Sequence, residues 1–186
     1  MAKTLISTHD IAVLGASSSI DITSGIDDTY SVYEFHFVNM HPATNQVDFT
    51  VQFNAIQADS TQLTGFNETI SSSTFQSQHG EGDGGATVGY YSAYDQGQGT
   101  AYQALNYETG YDADQSVSGI LTLYDPSDTT FVKHFQARTQ TAQGDDFSVD
   151  WHTAGYINTT SAIDEISFKF DSGNIDAGVI KMFGVS

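Results

Sequence analysis

The chain has no cysteine, few bases and no long apolar run, and each absence excludes something. Among 186 residues there is no Cys, so neither a disulfide framework nor a thiolate metal site can form, and composition does not reveal the redox compartment. Lys and Arg total 5 against 23 Asp and Glu, for a formal net charge of -18. Between Lys3 and Lys133 there is no Lys or Arg, yet 16 of the 23 acids lie there. Nucleic-acid affinity comes largely from Lys and Arg displacing counterions from phosphates, so DNA and RNA are not expected partners. No apolar stretch approaches the roughly 20 residues of a bilayer-spanning helix. The opening MAKTLISTHD is interrupted by polar residues where a secretory signal would be apolar, so we expect a soluble chain with no membrane partner. Its high net charge favours solubility and keeps copies apart until a partner is met.

What is present is period-two alternation. Near the end, Ile166, Phe168 and Phe170 alternate with Glu165, Ser167 and Lys169, the pattern of a strand with one buried and one wet face. Asp171, Ser172, Gly173 and Asn174 follow as turn residues, and then a strand from Val179 to Phe183, which together read as a closing β-hairpin. Earlier, Tyr33, Phe35 and Phe37 share a face of a strand over residues 30–40 that reads as central, with His41 and Pro42 ending it. Val47, Phe49, Val51 and Phe53 alternate with Asp48, Thr50, Gln52 and Asn54, predicting a half-buried strand. Residues 120–124 and 131–138 flank Asp125, Pro126, Ser127, Asp128, Thr129 and Thr130, predicting a hairpin. Residues 147–157 form a further strand containing Trp151.

Other stretches are less regular. Residues 56–86 are rich in Ser, Thr, Gln and Gly and read as one or two short strands with a long surface loop. Ala101 to Leu105 fits a strand or a short helix. Residues 1–18 read as an N-terminal arm or short strand, built on the apolar run Ile11 to Leu14, ahead of a domain over 19–186. About ten strands with almost no helical periodicity predict an all-β chain, a single-domain antiparallel β-sandwich of jelly-roll or Greek-key type.

Candidate chemistry is sparse. His9, His36, His41, His79, His134 and His152 show none of the close spacings of a zinc site. Glu34 and His36 share a strand face as a candidate acid and base, although such pairs are more often solvated or hydrogen-bonded to each other. The acidic pairs Asp27 with Asp28, Asp112 with Asp114, and Asp145 with Asp146 carry calcium-type oxygen ligands without EF-hand spacing, and exposed turn acids are the plainer reading. We therefore expect no metal, no cofactor and no catalysis. The candidate binding residues are Tyr90, Tyr91, Tyr94, Tyr102, Tyr107 and Trp151, since these rings offer large rigid faces with polar tips for a protein interface or a sugar.

Three blocks, SIDITSGIDDTYSVYEFHFVNMHPAT, ADQSVSGILTLYDPSDTTFVKHF and GYINTTSAIDEISFKFDSGNIDAGVIKMFG, together resemble small all-β virion proteins of tailed phages of marine bacteria and cyanobacteria. The resemblance spans essentially residues 4–184. It implies a virion structural protein, in the first place a capsid decoration (cement) protein that binds the major capsid protein from outside, and a homotrimer is then the expectation from how capsids are decorated. In the second place it implies a carbohydrate-binding module of a tail or fibre that contacts host glycans. No catalytic residue is carried over by the resemblance.

Overall fold

The computed structural model describes residues 2–56 and 65–186. In chain order the elements are β1 (Lys3–Asp10), α1 (Ile11–Leu14), β2 (Ile20–Ile22), β3 (Val32–Pro42), β4 (Phe49–Ala55), β5 (Ile70–Gly80) and β6 (Gly84–Tyr90). A single 3-10 turn at Ser92–Tyr94 precedes β7 (Gly97–Gly99) and β8 (Gln103–Ala104). The rest are β9 (Val117–Tyr124), β10 (Lys133–Ala142), β11 (Phe147–Ile157), β12 (Ile163–Phe170) and β13 (Ile175–Val185).

Two antiparallel sheets pack face to face as an all-β sandwich. The larger runs β1-β13-β3-β9-β10-β11-β5-β6, with β7 also beside β5, and the smaller runs β2-β12-β4-β8. Alternation places Tyr33, Phe35, Phe37, Leu121, Leu123 and Phe135 inward from the large sheet, where they meet Phe49, Val51, Phe53, Ile166, Phe168 and Phe170 of the small one. Phe168 sits at the centre, with ring centroids 5.6 Å from Phe35, 5.1 Å from Phe37 and 5.9 Å from Phe49.

The four-stranded sheet is too narrow to cover nine strands. Towards β11 and β5 the inward residues Val149, Trp151, Thr74 and Gln76 are instead roofed by the segment around residues 91–110, whose Tyr91 N–H donates to the Thr74 carbonyl at 3.0 Å. Thr139 donates its hydroxyl to the Leu105 carbonyl in the same way.

Several sequence expectations need correction. The last two strands are not a hairpin: β12 pairs with β2 and β4, whereas β13 pairs with β1 and β3. The turn at 171–174 therefore carries the chain from one sheet to the other. β4 is covered on both faces, because the Gln52 amide donates to the carbonyls of Glu68, Thr100 and Ala101 in the segments lying over it. Within residues 56–86, the expected loop is mostly β5, eleven residues paired along its whole length with β11; residues 57–64 lie outside the described residues. Ile11–Leu14 is a helical turn capped by Asp10, not a strand, and the strand is β1 before it. β3 continues through His41 to Pro42. The 120–138 hairpin is present as β9 and β10, and residues 101–105 hold the short strand β8.

Candidate functional site

The six candidate aromatic residues fall in three places. Tyr91, Tyr94 and Tyr107 surround Trp151: Tyr107 stacks on it at 6.1 Å and 6°, Tyr94 meets it edge-on at 5.1 Å, and Tyr91 lies 5.8 Å away. Trp151 is 0% exposed and its indole N–H donates to Thr153 Oγ1 at 3.0 Å. It is the floor of a small second core and offers no face to a ligand. Tyr90 lies on the opposite face of the large sheet, with its hydroxyl bonded to Asp95. Tyr102 lies over the small sheet, donating to Ser167 at 3.0 Å beneath the Lys169 ammonium, 4.1 Å from its ring centre.

The Glu34 and His36 pair forms, at 2.7 Å, and Lys3 binds the same Glu34 oxygen at 2.6 Å. Burial opposes ionisation of Glu34, but the hydrogen bonds from Lys3 and His36 outweigh it and hold the carboxyl below its usual range. Asp27 builds its turn, accepting from the Thr29 N–H at 2.8 Å and the Tyr33 hydroxyl at 3.0 Å. Among the described residues no three acids or histidines gather as a metal site.

Acids are most concentrated at one end of the sandwich, although the opposite end also carries Asp27, Asp28, Asp125 and Asp128. One end collects Asp10 at the close of β1, Asp48 before β4, Glu81 and Asp83 between β5 and β6, Glu108, Asp112 and Asp114 before β9, Asp145 and Asp146 between β10 and β11, and Asp171 and Asp176 at the β12–β13 crossing. That is eleven of the 23 acids, and these loops carry no Lys or Arg. Asp48 feels the crowding: burial, with the neighbouring Asp171 and Glu108 charges, pushes its carboxyl up to about 6. His41 is held in the same region by Asp176 at 2.6 Å and the Asp112 carbonyl at 3.1 Å. Burial lowers its proton affinity, but these acceptors raise it more, so the net shift is upward.

The outer face of the large sheet is different. On its strands, away from their ends, the outward acids are Glu34 and Asp150, set beside Lys3, Arg138 and Lys181. Register aligns three rows across it. Glu34, Thr122, Gln136, Ala154 and Ser73 face one another in sequence on β3, β9, β10, β11 and β5. On one side stands the row His36, Ile120, Arg138, His152 and Phe75, with Tyr90 beyond, and on the other Tyr124, His134, Tyr156 and Ser71.

Short side chains between bulky rows make a trough. It has two adjoining parts of about 500 and 470 Å³, and both are lined by Ser73, Gln136 and Ala154. Five strands at about 4.8 Å spacing give it a length of ~19 Å. Phe75 is 50% exposed and stacks on His152 at 4.7 Å and 6°. Arg138 is gripped by Asp150 through two bonds, at 2.9 and 3.0 Å, and the guanidinium holds the Asp150 carboxyl well below its usual range.

No family model, curated protein or solved structure matches the chain. The trough was not legible in the sequence because residues 56–86 read as only one or two short strands with a long loop, and because its rows exist only once strand register is known.

Proposed function

We propose that the chain is a capsid decoration protein of a tailed-phage virion, bound to the outside of the major capsid protein as a homotrimer. The resemblance of the three sequence blocks supplies the class, and the exposed Phe131 ring at the end with fewer acids carries the reading. On a protein of charge -18 the end with more acids is the more strongly repelled by an acidic shell, so it points to solvent. The opposite end then meets the shell. There the β9–β10 loop presents Phe131 at 70% exposure, and an exposed ring of this size is suited to burial in a protein contact. A trimer places three such contacts around a three-fold position with closed symmetry.

Copy number tests this reading. Reconstruction of the virion is expected to show hundreds of copies on the head, with the acidic end outermost. A count of a few to a few dozen, or density confined to the tail, overturns it. Phe131→Asp is expected to fold normally, since the ring is exposed, and to lose rebinding to stripped capsids.

A further inference from the structure

We propose that the trough on the outer face of the large sheet is a binding site for neutral oligosaccharides. The site lies on the flank of the sandwich: the part walled by Phe75 and His152 is set back from the strand ends, and the other part runs to Tyr124 and His134 beside the β9–β10 loop.

The lining chemistry selects the ligand class. A sugar ring presents C–H groups on its faces and hydroxyls, each both donor and acceptor, around its edge. The trough offers the matching set: an exposed aromatic wall at Phe75 and His152, and a floor of Thr122, Gln136 and Ser73 whose hydroxyl and amide groups both donate and accept. Aromatic rings take the apolar ring faces, and the amide and hydroxyls orient the edge.

Charge settles the sign. The guanidinium and the carboxylate at the trough already have counter-ions: Arg138 is held in a bidentate pair by Asp150, and Glu34 is held by Lys3 and His36. A charged glycan would find no unpaired counter-charge there, and an anionic one would also meet the field of a chain carrying -18. The same ion pairs fix the side chains that carry them, so the walls stand preorganised.

The test is calorimetric titration of the full chain with maltotriose, cellotriose, laminaritriose, mannotriose and galactotriose, with trigalacturonic acid as the charged comparison. At least one neutral trisaccharide is expected to bind with a millimolar or tighter Kd, and the acid more weakly. Phe75→Ala and Gln136→Ala each alter an exposed side chain, so both should keep the parent melting temperature while weakening binding about tenfold or more. Tyr111→Ala, an exposed ring outside the trough, should leave it unchanged. The proposal fails if all five neutral sugars give no heat at ~10 mM, if trigalacturonic acid binds best, or if the two trough variants bind like the parent. A trough that instead seats a protein segment would give the first of these results.

Discussion

Phe168 shows how narrow the margin for change is at a single residue. Its ring is fully buried among Phe35, Phe37 and Phe49, so Phe168→Asp places a carboxylate where no partner can reach it, at a cost of several kcal/mol or more. The variant is expected not to fold. Glu165, three residues earlier, is only part-buried and accepts a bond from the Asn54 amide at 2.9 Å. A glutamine oxygen can accept that bond equally well, so Glu165→Gln should melt with the parent; equal loss in both variants would mean that the faces of β12 are misassigned. Asp48 makes the pH prediction. Its folded value of about 6 lies above the ordinary 3.8, so the folded chain holds this proton more tightly than the unfolded one. Ionising Asp48 therefore weakens the fold, and its contribution to stability is regained as pH falls from about 7 towards 4. Asp48→Asn keeps the acceptor for the Glu108 N–H and removes the charge. It should stabilise by about 1–2 kcal/mol at pH 7, allowing for partial solvation, and the gain should vanish near pH 4. Denaturant melts at both pH values check the sign.

At the scale of elements, alternation was legible and partnership was not. The inward faces of β3, β4 and β12 follow directly from period-two patterns, because burial on one face leaves a local trace in sequence. Whether β12 and β13 pair with each other leaves no such trace. Asp171 to Asn174 can reverse the chain inside one sheet or carry it across to the other, and the choice is made by β2, β4, β1 and β3, far away in sequence. β5 hid for another reason: its inward residues Thr74 and Gln76 are polar, so the strand carries no apolar stripe. Trp151 was readable in part, since its alternation with Asp150 and His152 already places it inward with Val149. One feature of β13 was hidden altogether. Gly178 has φ +118°, opposite Asn39 at φ 50°, and a Cβ there would lie 2.7 Å from both the Asn39 carbonyl oxygen and the Met40 Cα. These facing irregularities shift the β3–β13 register. Gly178→Ala therefore combines an unfavourable φ with a clash against backbone, and should cost about 2 kcal/mol or more, visible as a lower urea midpoint with an unchanged slope.

For the whole molecule the governing quantity is a net charge of -18 with an acid-rich end. Two such copies, or one copy and an acidic shell, repel each other through the solvent, so the proposed attachment has to come from apolar and hydrogen-bonded contact. Salt then acts in one direction. Screening shortens the reach of the repulsion to about 8 Å at physiological ionic strength, while apolar burial is weakened little by salt and can strengthen. Five bases offer little to oppose this: Lys3 and Arg138 are already paired within the chain and Lys133 is buried, donating to the Phe131 carbonyl at 2.8 Å, which leaves Lys169 over the Tyr102 ring and the exposed Lys181. Rebinding of the purified protein to stripped capsids is therefore expected to be as strong or stronger at roughly 500 mM sodium chloride than at roughly 20 mM, the two ends of the screening range. Sedimentation of capsids with bound protein measures it directly. Release at the higher salt would mean that ion pairs hold the complex, and that the acidic end, not the end carrying Phe131, faces a basic partner.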